Sequence, residues 1–573
     1  MNRTNRVAFD LPAVLSGALL AIFFPVSGAV AQGVGQVARS PAGVVSAAQP
    51  MAAVAGARML EMGGNAADAA VAAAFAISVV EPSMNSIGGR NQILVRTPDG
   101  EVFGIDGTTS VPTGYDPKTA PGASYGYATV GVPGVVAGLM RLHSEFGSLP
   151  LEQVMAPAID YAENGFRLLP GEAARQAFGA ADVAKSEGAA RYYLKEDGRP
   201  YQAGELLVQT DMARSLRRIA ESGRDGFHAG ETARMIADDM AANGGFLTEQ
   251  ALADYQAMDS RIVRGSYRGY ELVGSDIPAS GAISILALHI MENFDHDSMT
   301  DEAWASVVGQ SLALALTEYR RPPSDSSAVR VTSKEWAAEL ARQVQTPMAE
   351  DSLLFDKAPV LSGPDGEGPY PGPSWLQPDT GHTTHLSAAD GNGMAVALTQ
   401  TIGPNMGSKV ATPGLGFLYA VTLGGYLGIN EPGERARSGI SPLMVMKDGE
   451  PELVLGAAGG IRIISAVVQA VTRVVDDGLS LPEALAAARV HPGINEDGNL
   501  VGLSVEATAL DGWDDESLSE FEALGFGVDA IRRAGAFGRV HGLQFNRETG
   551  VWTGAADPDW EGAAVAAGPP GGN

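Results

Sequence analysis

An α+β fold, with sheets packed between layers of helices, is what the sequence predicts. Three observations lead there. β-Rich segments recur as hairpins on both sides of a single proline-rich break, Ala-rich segments with helical spacing accompany them, and no Ser/Gly/Pro linker separates two self-contained halves. No period of repeat length is visible either, so the 573 residues read as one folded unit behind a short leader.

The leader comes first. Arg3 and Arg6 precede an uncharged apolar run over 11–26, and Ser27-Gly28-Ala29-Val30-Ala31 supplies the small residues of a cleavage site. This is the pattern of a secretory signal cut after Ala31, and it implies export to the periplasm. The run is short for a bilayer span and Pro25 interrupts it, which disfavours a membrane anchor.

Helices are expected over 51–80, broken by Gly63-Gly64-Asn65, with Asn65 or Asp68 as cap. Segments 93–96 and 101–105 read as strands around the turn Pro98-Asp99-Gly100. A strand-to-helix passage follows over 130–142, then a mostly helical stretch over 151–254. A strand over 267–272 and helices over 280–294 and 303–319 complete the first part. Prolines at 359, 364, 369, 371, 373 and 378 mark the break. Beyond it, 383–388 and 394–401 flank Asp390-Gly391-Asn392-Gly393, and 442–446 and 453–455 flank Lys447-Asp448-Gly449, two hairpins. Helices are expected over 463–476 and 481–488, and the Ala-rich tail from 563 on reads as disordered.

Composition excludes several chemistries. The chain carries a net charge of −28, and loss of Arg3, Arg6 and Asp10 with the leader takes it to −29. A nucleic-acid groove, which rests on Lys and Arg, is not expected. With no cysteine, disulfides, thiolate metal sites and thiol nucleophiles are excluded. The eight histidines show no ligand spacing, so neither a metal nor another cofactor is expected.

A hydroxyl needs a base to become a nucleophile. One solution places it at a newly made N-terminus, where its own α-amine takes the proton. Such a site requires Ser, Thr or Cys opening a strand just behind a cleavable loop. Thr383 meets that requirement, although a Thr-Thr pair at a strand start is usually no more than β propensity.

The surroundings add a resemblance. Gly381-His382-Thr383-Thr384-His385, running on to Thr401, resembles the processing segment of the γ-glutamyltransferase family. Gly63-Gly64-Asn65-Ala66-Ala67-Asp68, Val79-Val80-Glu81-Pro82, Ile87-Gly88-Gly89, Val130-Gly131-Val132-Pro133-Gly134, Tyr267-Arg268-Gly269-Tyr270, Ser441-Pro442, Gly459-Gly460-Ile461-Arg462 and Asp557-Pro558 follow the family's order, across nearly all of 42–564. The resemblance implies a four-layer αββα sandwich of the N-terminal-nucleophile hydrolase type. It implies self-cleavage between His382 and Thr383, dividing the mature chain into a large piece, 32–382, and a small catalytic piece, 383–573. Thr383 would attack an amide carbonyl, Thr401 would brace it, and the N–H groups of Gly459 and Gly460 would form the oxyanion hole. Read without Thr383, the glycine pair is an ordinary turn. The expected partners are a small amide substrate, water or an amine as acceptor, and the two pieces of the chain for each other.

The substrate-reading positions depart from the family. Thr108 stands where γ-glutamyl enzymes place an arginine on the substrate's α-carboxylate, and Ser438-Gly439 replaces their Ser-Ser pair. Gly403 replaces an asparagine, and Ala420-Val421-Thr422-Leu423-Gly424-Gly425 replaces an acidic stretch. The segment leading to Ser441 is short, so the family's lid is not expected. In the other direction, Arg90 follows Ile87-Gly88-Gly89, where the family carries glycine or an acid. Arg90 reads equally as a grip for a substrate carboxylate and as a surface or ion-pair residue. Arg435 and Arg437 are weaker candidates for the same task. The expectation is an amidohydrolase acting on a non-standard acyl amide such as a glutaryl or oxamate-type amide. True glutathione hydrolysis, or a non-catalytic binding protein on the same fold, are the rivals.

Overall fold

The computed structural model describes residues 35–119, 124–320, 329–345, 382–424, 426–427, 431–494, 500–507, 512–531 and 537–568. The leader, the proline-rich break up to Gly381, Gly425 and the last Pro/Gly residues lie outside them. No helix among the described residues is long and apolar enough to cross a membrane.

The strands are, in chain order, β1 (Val37–Ser40), β2 (Gly43–Ala47), β3 (Arg90–Arg96), β4 (Val102–Gly107), β5 (Phe166–Arg167), β6 (Leu206–Leu207), β7 (Met258–Asp259), β8 (Ile262–Tyr267), β9 (Tyr270–Ser275), β10 (Thr384–Asp390) and β11 (Ala395–Thr401). They continue with β12 (Leu443–Lys447), β13 (Glu450–Ala458), β14 (Val490–Ile494), β15 (Leu500–Glu506), β16 (Val528–Ile531), β17 (Arg539–Asn546), β18 (Val551–Ala556) and β19 (Ala563–Ala566). One seven-stranded sheet has the order β19-β2-β10-β11-β3-β4-β7, and a second has β1-β18-β17-β13-β12-β9-β8.

The sheets stack face to face. Val44, Leu94, Ala389, Ala397, Met444, Val454, Leu543 and Trp552 fill the space between them. Helices Pro50–Glu61, Ala66–Val80 and Leu151–Asn164 bury their apolar faces on the outer side of the first sheet. Helices Gly281–Met291, Asp301–Arg320 and Arg462–Val475 do so on the second. The result is helix, sheet, sheet, helix. β10 and β11, buried along their whole length, lie centrally in the first sheet and read as unbroken apolar and small residues for that reason.

Local chemistry sets the ends of the elements that matter. Asn65 Oδ1 accepts from the N–H groups of Ala67 and Asp68, and Asp68 Oδ2 accepts from Asn65 N at 3.0 Å. This reciprocal cap contributes about 1 kcal/mol. The helix behind it is buried on every side, and its alanines allow close approach: a Cβ on Gly56 would lie 2.8 Å from Ala69 O. Between β10 and β11, Asp390 Oδ1 accepts from Asn392 N and Met394 N, while its Oδ2 accepts from Ala66 N, tying the hairpin to that helix.

Two expectations are corrected. The strand expected over 267–272 is a hairpin, β8 and β9, turning at Arg268 and Gly269 with φ of 49° and 80°. The tail expected to be disordered from 563 instead forms β19, which pairs with β2 at the sheet edge. Pairing with a partner strand outweighs the weak β preference of its alanines.

Candidate active site

Thr383 stands at the head of β10, 4% exposed. Its Oγ1 donates to the carbonyl oxygen of His382 at 2.6 Å and lies 3.3 Å from Thr401 Oγ1. Thr401, the last residue of β11, donates to the same His382 oxygen and accepts from Gly403 N at 2.9 Å. One backbone carbonyl thus meets a hydroxyl able to attack its carbon and a second hydroxyl able to hold its oxygen. That arrangement can support an N-to-O acyl shift at the 382–383 bond.

His385 keeps this end of β10 in place. Its Nδ1 contacts Thr399 Oγ1 at 2.7 Å and its Nε2 contacts Ser387 Oγ at 3.0 Å. Burial, then the neighbouring His541, holds the ring well below the usual imidazole pKa, so it is neutral and serves structure. The ring also lies against the second sheet: a Cβ on Gly456 would come within 2.4 Å of its Cε1. At the other end of β10, Trp552 Nε1 donates to Asp390 O. Trp552 pairs with Phe545, and the β17 residue just before it, Gln544, pairs with Leu453. His385 is therefore level with Gly456 and Asp390 with the start of β13, so β10 and β13 run in opposite directions across the interface. The head of β10 and the tail of β13 share one end of the sandwich.

That tail is Gly459-Gly460. Gly459 has φ of +143° and a Cβ there would lie 2.7 Å from Gly538 Cα, while Gly460 has φ of +58°. Both conformations favour glycine. Their carbonyls accept from Arg462 N and Ile463 N and so start helix Arg462–Val475, whose N-terminus favours negative charge at this point. The Ser438-Gly439 loop packs directly on them: a Cβ on Gly439 would lie 2.6 Å from Gly460 O. Ser438 is 7% exposed; its N–H donates to Pro278 O, and its carbonyl accepts from Ser280 Oγ.

Arg90 is the residue paired with Thr401 across β3 and β11. It is 2% exposed, so it is not a surface residue. Its Nη1 donates to Val421 O at 3.0 Å; among the described residues its Nε has no hydrogen-bond partner and no carboxylate forms an ion pair with it. Burial lowers its pKa, with Tyr426 and Tyr319 opposing. Gly403, where the family carries asparagine, has φ of +90°, and a Cβ there would meet Tyr426 Cε1 at 3.0 Å and Arg90 Nη2 at 3.5 Å. An aromatic ring and a guanidinium occupy the space around that position.

The other candidates are engaged elsewhere. Thr108 Oγ1 accepts from Gln92 Nε2, and its carbonyl accepts from Tyr255 OH. Arg435 pairs with Asp106 at 3.3 Å and lies over the Tyr255 ring. Arg437 donates to Tyr319 O and lies over its ring.

Sequence reasoning missed Tyr319 and Tyr426; the signal available was the tyrosine directly after the replaced acidic stretch. It also passed over Glu81 as a site neighbour. Burial, against the pull of Arg175, pushes the Glu81 carboxyl up to about 7, with the Thr384 hydroxyl alongside. Among the described residues, no cluster of His and carboxylate groups suits a metal.

Known proteins resemble this chain over most of its length. The family described as Gamma-glutamyltranspeptidase matches residues 52–567. The glutathione hydrolase proenzyme of Escherichia coli strain K12 is 32% identical over 505 residues, 82% of this chain and 84% of its own length. The acylase ACY 1 proenzyme of Pseudomonas sp. strain SE83 is 32% identical over 552 residues, 91% of this chain and 93% of its own. The crystal structure of a cephalosporin acylase from Bacillus halodurans superposes with a TM-score of 0.80 at 26% identity, covering 95% of this chain and 99% of that one.

Proposed function

The chain belongs to the gamma-glutamyltranspeptidase family, an amidohydrolase and acyltransferase on the N-terminal-nucleophile fold; from that premise we propose that it is an exported, self-processing threonine amidohydrolase whose acyl specificity is not γ-glutamyl. The observation that carries this reading is the meeting of Thr383 Oγ1, Thr401 Oγ1 and His382 O at one point.

Processing proceeds in balanced steps. Thr383 Oγ1 attacks the His382 carbonyl carbon and its proton passes to the departing nitrogen. The C–N bond breaks, leaving an ester on Thr383 and a free α-amine. Water hydrolyses the ester, giving 32–382 and 383–573. In turnover the α-amine takes the Thr383 hydroxyl proton, and the oxygen attacks the substrate amide. Gly459 and Gly460 N–H groups hold the oxyanion, the substrate amine leaves with the proton, and water or another amine resolves the acyl-enzyme.

The acyl group carries a carboxylate without an α-amine, a glutaryl chain for instance. Arg90 supports this choice, since a buried guanidinium without an ion-pair partner among the described residues gains most from an anionic ligand. Gly403 and Gly439 offer no side chain to an α-amine or carboxylate. Export by residues 1–31 puts the enzyme in the periplasm. Intact mass of the purified protein tests the reading. Two pieces starting at Gln32 and Thr383 are expected, and a fully active uncut chain would overturn it.

A further inference from the structure

Beside the glycine pair lies a cavity of about 200 Å³, lined by Leu316, Tyr319, Ile461, His491, Pro492 and Ile494. Two of these residues connect it to the reacting centre. Ile461 directly follows Gly460 and is 40% exposed, although it is a large apolar side chain. Tyr319 neighbours Arg90, where it opposes the lowering of the pKa by burial, and its ring lies 4.9 Å from the Arg437 guanidinium.

The cavity and Arg90 belong to different layers of the fold, with Tyr319 between them. Arg90 belongs to β3 of the first sheet. The cavity is built from β14, the end of helix Asp301–Arg320 and the residue ahead of helix Arg462–Val475, all on the side of the second sheet. An amide has two substituents on its C–N unit. With the acyl carboxylate assigned to Arg90, the cavity is left for the amine half.

From this we infer that the cavity is the amine-side subsite and takes an uncharged hydrocarbon or aryl group of about one ring; the assignment of halves rests on the acyl reading above. Size supports one ring: an apolar cavity of about 150 Å³ holds a benzene molecule. Charge supports an uncharged group, because no Lys, Arg, Asp or Glu lines the walls among the described residues. The polar wall group, His491, shares a hydrogen bond between its Nδ1 and Ser465 Oγ at 2.7 Å, and burial, then Arg462, lowers its pKa to about 3, so it is neutral. Arg462 itself lies over the Phe537 ring. A peptide amine with a free carboxylate would find no cation among the described wall residues, whereas a hydrocarbon would leave water for an apolar surface.

Titration calorimetry on the processed enzyme tests this with N-(3-phenylpropyl)acetamide and N-propylacetamide, neutral amides that differ by one ring. The phenyl compound should bind at least tenfold more tightly. Ile494→Trp, which fills the cavity, should remove that difference by weakening the phenyl compound. Ile461→Ser, at an exposed position that tolerates change, should reduce it two- to threefold and carries the test if the tryptophan variant does not fold. Equal affinities, no measurable binding of the phenyl compound, or a difference that survives both variants would overturn the inference. Neither ligand carries a carboxylate, so a failure of the Arg90 reading shows separately, in the acyl comparison described below.

Discussion

The hydroxyls of Thr383 and Thr401 lie 3.3 Å apart, and both reach the carbonyl oxygen of His382. They come from the head of one strand and the tail of the next, so a hairpin is all that is needed to bring them together. The proposed nucleophile and oxygen-binding group then share one rigid element.

Replacement of the attacking group is the first test. Thr383→Ala should stay a single chain without amidase activity. Thr383→Ser should process and turn over, more slowly, because serine offers the hydroxyl without the methyl group that restricts its rotamer. Intact mass after timed incubation reads both, and a processed alanine variant would remove Thr383 from the mechanism.

Thr401→Val keeps the shape and deletes the hydroxyl. Loss of a hydrogen bond to developing charge costs about 1.5–3 kcal/mol, so processing should slow by roughly 10- to 100-fold. The rate at which the 383–573 piece accumulates measures this. An unchanged rate would leave Thr401 as a strand residue only.

Specificity is tested with two anilides. Glutaryl-p-nitroanilide should show the higher kcat/KM and γ-glutamyl-p-nitroanilide the lower, because the α-amine finds no acceptor side chain at Gly403. Arg90→Ala should raise KM for the glutaryl compound and leave a neutral acyl anilide little changed. A strong preference for the γ-glutamyl compound would return the chain to glutathione chemistry.

Glu81 predicts a pH effect. Its pKa of about 7 in the folded chain stands above the ordinary 4.5, so the folded state holds the proton more tightly. The stability this contributes is complete below the ordinary value and is lost as pH rises through 7. Glu81→Gln mimics the protonated form. Its melting temperature should therefore gain on wild type between pH 5.5 and 8, with Arg175, Glu172 and Arg539 as the charges facing the site. A constant gap across that range would show that Glu81 stays ionised beside Arg175.

Much of this was legible in sequence because it is local. Asn65 and Asp68 form the expected cap, and the 390–393 turn joins the strands that hold both threonines. The family assignment, read from ordered motifs, agrees with the match over 52–567. What sequence hid depends on partners distant in the chain. Arg268 adopts a left-handed turn that a run of tyrosines and arginine does not announce, so one strand was expected where two exist. The alanines of β19 become a strand only because β2 lies beside them. The surroundings of Arg90 come from residues 319, 401, 403, 421 and 426, and no spacing rule joins those positions.

The strand orders carry a consequence for the life of the molecule. β1, β2, β3, β4, β7, β8 and β9 precede the 382–383 bond, while β10 to β13 and β17 to β19 follow it, and both sheets interleave the two sets. A precursor unfolded in denaturant recovers by a first-order process, since all its strands travel on one chain. Once cut, the same sheets must be rewoven from two separate polymers, and recovery becomes second order and dependent on concentration. A dilute solution of the mature protein, once unfolded, should stay unfolded. Cleavage would then fix not only a new amine but also a lifetime set by how slowly the woven sheets come apart.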